Sequence, residues 1–437
     1  MEANHILNGN GGEAAPKAIL VGLCINEDME ETEKGLLELE ALLETAGGEC
    51  AVEVVQAKAH PDPRTCVGSG KVAEIAYWCR EYEAGLVVFD CELSPAQIRN
   101  LEDSIGQDVR VIDRSMLILD IFALHAVTGE GKLQVELAQL KYTAPRLIGK
   151  GTELSRLGGG IGTRGPGESK LESDRRHLQR RISALEAELE TLDRNRRTMR
   201  AARDRSQIPK VAIVGYTNAG KSTLFNYLTG AGILAENKLF ATLDPTTRKL
   251  TLPDGSVVLL TDTVGFIRKL PHHLIRAFRS TLDEAVYADA LIILVDASDP
   301  EHRAQLETTE KLLEELGASE KPTLYVYNKC DLGAHESFRA VGTVSPNRKS
   351  VFISAQTGQG VELLLNALQE LLQAGKHRVH FRIPNADAGI LNRLYGNAVV
   401  ESVDYTAEGI EVVATVDAKT HGMLRAYDPN WREPTDE

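Results

Sequence analysis

Four apolar residues, Val211–Val214 (VAIV), run straight into Gly215-Tyr216-Thr217-Asn218-Ala219-Gly220-Lys221-Ser222, and Thr223–Leu228 continues with a helical pattern. The spacing is GxxxxGK followed by Ser, in the strand–loop–helix setting that this motif requires. A continuous apolar strand is buried on both faces, which calls for a mostly parallel sheet with helices on each side. Backbone N–H groups of the loop and of the helix N-terminus converge on phosphate oxygens. Lys221 neutralises β- and γ-phosphate charge, and the Ser222 hydroxyl suits Mg²⁺.

Three further segments follow in the order such a sheet needs. Val257–Leu260 (VVLL) leads to Asp262-Thr263-Val264-Gly265. A carboxylate at a strand's end can hold the magnesium shell, and a Gly265 N–H that meets the γ-phosphate makes its loop sensitive to hydrolysis. Pro322–Tyr327 (PTLYVY) ends at Asn328-Lys329-Cys330-Asp331. The Asp331 carboxylate can accept from both N1–H and the 2-amino group of guanine. Adenine has neither donor and leaves the carboxylate unpaired, which discriminates on the order of 10⁴-fold. The Lys329 stem can lie against the base, and Asn328 can tie the base to the phosphate loop. Val351–Ile353 leads into Ser354-Ala355, whose N–H groups are expected at guanine O6. Each element sits at the carboxyl end of a strand, where open α/β sheets bind ligands. The expected GTPase domain spans 208–375, with GTP and GDP as ligands.

The rest of the 437 residues divides around it. Residues 1–16 read as a disordered tail. Residues 17–130 read as a small α/β domain: strands at Ala18–Cys24, Val52–Val55, Leu86–Phe89 and Val109–Ile112, and a helix at Met29–Thr45, alternate as a parallel sheet requires. Val67–Lys71 (VGSGK) lacks the first glycine and the hydroxyl of a phosphate loop, so it reads as a turn entering a helix. Residues 131–207 read as a helical hairpin. Leu133, Leu137 and Leu140 face a heptad seam of Leu178, Ile182, Leu185, Leu189 and Leu192. Its tip, Leu157–Ser169 (LGGGIGTRGPGES), holds six glycines in thirteen residues and cannot be regular helix. Residues 376–437 read as a small C-terminal α/β domain, with strands at Val379–Ile383 and Gly409–Val416 and a helix starting at Leu391–Tyr395.

Net charge is −14, yet Lys141–Lys210 carries 17 basic against 9 acidic residues. Such a segment attracts a phosphate backbone locally while the acidic remainder limits indiscriminate binding. The plainer reading is a solvated charged helix. Arg156, Arg164, Lys170, Arg175 and Arg176, at the tip and along the second helix, are the candidate RNA contacts. Six scattered cysteines without a CxxC pair read as buried, reduced thiols of a cytoplasmic protein. No apolar run approaches the roughly 20 residues of a membrane span.

Together, Gly158–Ser169, Asp174-Arg175-Arg176, the GYTNAGKS loop, Phe240-Ala241-Thr242-Leu243-Asp244-Pro245 and DTVGF resemble the HflX family of ribosome-binding GTPases, across most of Ala18–Gly375. Thr242, Thr246 and Thr247 are all candidate hydroxyls of the first switch; the resemblance selects Thr242 for Mg²⁺ and the γ-phosphate. It also implies that the chain binds the large ribosomal subunit and its RNA, and that it splits stalled ribosomes under stress; a monomer is expected. The alternative is an assembly factor for the large subunit, using the same residues. Where Ras-like enzymes place a water-orienting glutamine, this chain has Phe266, so hydrolysis is expected to need the ribosome. Asn218 matches a position linked to potassium activation in related GTPases; a loop-capping role is the plainer reading.

Overall fold

The computed structural model describes residues 15–25, 29–106, 108–147, 166–204, 208–232, 238–269, 271, 274, 279–333, 342–345, 348–373 and 376–430. Residues 1–14 of the expected tail and most of the glycine-rich tip lie outside this set.

The N-terminal sheet contains β1 (Lys17–Cys24), β2 (Glu49–Ala57), β3 (Leu86–Phe89) and β4 (Arg110–Asp113), in the order β2-β1-β3-β4 and all parallel. Along β1 the side chains alternate between faces. Ala18 and Leu20 pack with α1 (Met29–Thr45) and α4 (Arg114–His125), while Ile19 and Val21 pack with α2 (Ser69–Glu81) and α3 (Pro95–Ile105). Gly68 caps α2, so VGSGK is the turn into that helix.

The arm consists of α5 (Gly129–Leu147) and α6 (Pro166–Asp204). The Glu136 carboxylate takes both the Nε and Nη2 hydrogens of Arg181 at 2.7 Å and Glu130 pairs with Arg196, so partners descend along α6 as α5 advances and the two helices run antiparallel; Lys141 also pairs with Glu186, at 2.7 Å. The seam differs from the expected leucine zipper. Val135, Ala138, Ile182 and Leu185 are buried, whereas Leu133, Leu137 and Leu140 are only half-buried. The reason is that α5 also packs against α4, so its apolar surface is divided between two neighbours. Pro166–Ser169, read as loop, forms the first turn of α6, where proline loses no hydrogen bond.

The central sheet contains β5 (Lys210–Gly215), β6 (Thr246–Thr251), β7 (Val257–Asp262), β8 (Ala290–Asp296), β9 (Thr323–Asn328), β10 (Gly342–Ser345) and β11 (Arg348–Phe352). The order is β10-β11-β9-β8-β5-β7-β6, parallel except for the antiparallel edges β6 and β10. Helices α7 (Lys221–Thr229) and α10 (Val361–Gln373) cover one face; α8 (Arg279–Tyr287) and α9 (His302–Glu315) cover the other. The C-terminal sheet is antiparallel, with β12 (Lys376–Ile383), β14 (Gly409–Asp417) and β13 (Ala398–Thr406) in that spatial order, backed by α11 (Gly389–Asn397) and α12 (Ala418–Leu424).

One apolar cluster runs from Leu20, Leu36 and Phe122 of the N-terminal sheet domain, through Val135 and Ala138 of the arm, to Tyr216, Phe240, Phe266 and Leu291 of the central sheet domain. At its centre Phe122 meets Phe240 edge to face, with centroids 4.8 Å apart. The C-terminal sheet encloses its own separate cluster around Phe381 and Val412. Among the described residues no helix is long and apolar enough to cross a membrane.

Candidate functional site

The carboxyl ends of β5, β7 and β9 converge on a cavity of about 560 Å³, lined by Thr217, Asn218, Gly220–Thr223, Phe240–Thr242, Thr263, Gly265 and Lys329. That volume lies in the usual small-molecule range, about 300–1,000 Å³. Lys238, Leu332 and Gln356 also line it. Sequence reasoning missed these three, although each lies within two residues of a segment it named.

The phosphate loop is built from close approaches. A Cβ on Gly215, whose φ is +148°, would sit 2.2 Å from the Leu294 carbonyl oxygen. Lys221 is buried and donates to the Gly215 and Tyr216 carbonyls at 3.1 and 2.7 Å. Burial pushes its ammonium down to about 8, against the pull of the Asp262 charge. The Ser222 hydroxyl lies 2.7 Å from Asp262 Oδ2 and 2.8 Å from the Thr242 hydroxyl, and Thr242 Oγ1 is 3.4 Å from the same carboxylate oxygen. Burial raises the Asp262 carboxyl, while the Ser222 hydrogen bond and the Lys221 charge oppose it. Asp262 Oδ1 is buried without a hydrogen-bond partner among the described residues. These oxygens suit a hard divalent cation. The other two candidate hydroxyls, Thr246 and Thr247, lie on β6, and Thr247 pairs with Thr261 at 2.9 Å. Among the described residues no His, Cys, Asp and Glu cluster forms a metal site.

The DTVG segment lies against the phosphate loop. Phe266 donates its N–H to Gly215 at 3.0 Å and accepts that of Thr217 at 2.7 Å. A Cβ on Gly265 would come within 2.7 Å of Thr217 Cγ2 and 3.0 Å of Lys221 Nζ. Thr263 donates to the Ile213 carbonyl, and Val264 and Phe266 are buried in the core. Asn218 is exposed, with φ +61° and no capping hydrogen bond among the described residues.

At the base end, Asn328 is buried, donates to the Ala219 carbonyl at 2.9 Å, and accepts the Ala355 N–H at 2.9 Å. The Ser354 N–H is given to the Gln359 carbonyl at 2.9 Å. The Ala355 N–H thus ties its loop to the Asn328 loop, and the Ser354 N–H stays within its own loop. Lys329 has φ +64° and pairs with Asp296 at 2.6 Å. Asp331 is exposed on the short turn Cys330–Leu332.

Arg175 and Arg176 are exposed on α6. Lys170 lies on the same helix, but its side chain, with Arg156 and Arg164, falls outside the described set.

Two groups escaped sequence reasoning. Asp244, two residues past Thr242, accepts the Val127 and Thr128 N–H groups at 2.8 Å, and the Thr128 hydroxyl, at the start of α5. Arg114 is buried and reaches Asp90 at 2.7 Å, the Arg268 carbonyl at 3.2 Å, and Glu38. Both join residues more than 100 positions apart, so no local pattern announces them.

Family models match the chain in three stretches. They are described as a GTP-binding GTPase N-terminal region (residues 33–123), a GTP-binding GTPase middle region (125–203) and a 50S ribosome-binding GTPase (210–329). GTPase HflX of Lacrimispora saccharolytica is 50% identical, covering 94% of this chain and 96% of its own. GTPase HflX of Escherichia coli is 43% identical, covering 89% and 90%. A solved GTP-binding protein of Sulfolobus solfataricus in complex with GDP is 28% identical, with TM-score 0.44 over 82% of this chain and 98% of its own. The phosphate loop, the strand-end motifs and the HflX relatives agree: the chain belongs to the HflX family of GTPases, and it is a GTP-binding GTP hydrolase.

Proposed function

We propose that this GTPase binds the large ribosomal subunit through its basic arm and separates stalled ribosomes into subunits. The observation that carries the reading is the Asp244 link: the segment that brings Thr242 to Ser222 and Asp262 also caps the first turn of the arm. A change at the γ-phosphate is thereby passed to the arm through hydrogen bonds. The exposed Arg175 and Arg176 and the basic excess of Lys141–Lys210 supply affinity for an RNA backbone. The 50S ribosome-binding model matched at residues 210–329 supports the same partner.

In this reading Lys221 and the phosphate-loop amides grip the phosphates, and Asp331 selects guanine. Ser222, Thr242 and Asp262 hold Mg²⁺, which supplies charge neutralisation at the transferring phosphoryl group. The Gly265 N–H senses the γ-phosphate. Phe266, buried and without a hydrogen-bonding side chain, does not orient water. The ribosome completes the site, and Asn218 would hold a potassium ion, which would supply positive charge otherwise given by an arginine finger.

The test is sedimentation of intact ribosomes with the protein and GTP, GDP or a non-hydrolysable analogue. Separation that depends on the triphosphate supports the reading. Profiles indifferent to nucleotide, or binding to free large subunits without separation, overturn it, and the second points to an assembly factor.

A further inference from the structure

Cys66 and Cys91, 25 residues apart in sequence, bring their Sγ atoms to 3.4 Å. Cys66 closes a two-way bridge with Asp62, accepting its N–H at 2.7 Å and donating at 2.9 Å, and holds a left-handed φ of +66°. Such a conformation is uncommon for a residue with a Cβ, and here it aims the thiol at β3's end. A disulfide needs about 2.0 Å between sulfurs, so the pair has little distance to close. The hydrogen bond from Cys91 holds the Cys66 thiol below its ordinary range, with the Lys58 charge adding to the effect. The same contact, with burial, pushes Cys91 up. Cys66 is buried and Cys91 half-buried; we assign the attack to Cys66 and the resolving step to Cys91, an order that the Cys91→Ser variant tests.

Cys91 directly follows Asp90, whose carboxylate ties the N-terminal sheet to the loop after DTVGF. It accepts from Arg114 at 2.7 Å and from Lys269 at 3.4 Å. Asp90 is buried, and its carboxylate packs against Gly35, where a Cβ would lie 2.7 Å from Oδ2. A shift of residue 91 is therefore passed to Arg114 and Lys269.

We propose that Cys66 and Cys91 form a peroxide-reactive dithiol whose disulfide displaces Asp90 and changes the rate of GTP hydrolysis. The Cys66 thiolate takes the distal oxygen of a hydroperoxide. The O–O bond breaks, and the leaving hydroxide collects a proton to become water. The Cys91 sulfur then attacks the Cys66 sulfenic acid; the S–S bond forms, the S–O bond breaks, and hydroxide leaves with the Cys91 proton as a second water. Two thiols are oxidised and one peroxide is reduced.

The experiment treats the full-length protein with hydrogen peroxide, maps peptides without reduction, and measures phosphate release before and after dithiothreitol. The expected result is a Cys66–Cys91 linked peptide and a hydrolysis rate changed by a factor of about two or more, restored by dithiothreitol. In Cys91→Ser the link is absent and Cys66 stops at the sulfenic acid, captured by dimedone. Absence of the linked peptide in the unmutated protein overturns the proposal, and so does a linked protein that hydrolyses GTP at the reduced protein's rate.

Discussion

The hydroxyl of Tyr216, the second residue of the phosphate loop, donates to Glu38 on α1 of the N-terminal sheet, and its oxygen accepts the Arg268 N–H at 2.8 Å. Glu38 also pairs with Arg114, so one buried network joins the phosphate loop, the loop after DTVGF and the N-terminal sheet. Arg268 extends it to Glu31 and Glu301, each at 3.0 Å.

Removing the cation at the network's centre strands two carboxylates away from water. Arg114→Ala is expected to cost about 3–5 kcal/mol of folding free energy. Arg114→Lys recovers little, because a single ammonium cannot reproduce the guanidinium fork. Denaturant titration of both variants checks this; a loss under about 1 kcal/mol would show that water reaches the site.

Asp331→Asn exchanges the acceptor that N1–H and the 2-amino group of guanine require. GTP affinity should fall on the order of 10³–10⁴-fold, and xanthosine triphosphate, with a carbonyl in place of the amino group, should bind better to the variant than to the parent. Calorimetry with both nucleotides decides. Undiminished GTP binding would remove Asp331 from base selection.

The Asp244 carboxylate acts as a cap supplied from another domain. Asp244→Ala should cost about 1 kcal/mol and speed exchange of the Val127 and Thr128 amides several-fold, while GDP affinity stays unchanged. Hydrogen exchange read by mass spectrometry follows this directly. Unaltered protection of those amides would mean that the arm's first turn is held by something else.

Lys221 makes nucleotide binding take up protons in mildly alkaline solution. Burial pushes its ammonium down to about 8, and phosphate oxygens favour the charged form. Below that value the lysine is charged before and after binding, so no proton moves. At pH 8.5, GTP should bring in roughly three-quarters of a proton, with affinity declining as pH rises further. Calorimetry in buffers of different ionisation enthalpy measures the uptake. The folding linkage has the matching sign: the penalty for burying the charge is complete below about 8 and is relieved as pH rises towards the ordinary lysine range.

Much of this was written locally in the chain. The residues Leu86–Phe89 of β3 and Met29–Thr45 of α1 are legible because a strand covered on both faces is continuously apolar and a half-buried helix repeats its leucines. The edge strands β6 (TTRKLT) and β10 (GTVS) are polar and carry no such signal. The same division holds at the site. Phosphate and base chemistry dictate residue types at fixed spacing, so Lys221, Ser222, Asp262 and Asn328 are visible in sequence. Glu38, Arg114 and Asp244 are not, because a contact between residues far apart in the chain leaves no periodicity. The α5 seam misled because the sequence shows which residues are apolar, not how many neighbours share them.

The continuity of the first apolar cluster sets how the protein comes apart on heating. The N-terminal sheet domain and the GTPase domain each keep a cluster of their own on one face of the sheet, but on the other face they share the first cluster with the arm, so neither can unfold without stripping the other; they should melt as one calorimetric unit, whereas the C-terminal sheet, enclosing Phe381 and Val412 by itself, should give a second endotherm of its own. What the chain strings out as four segments, heat should count as two.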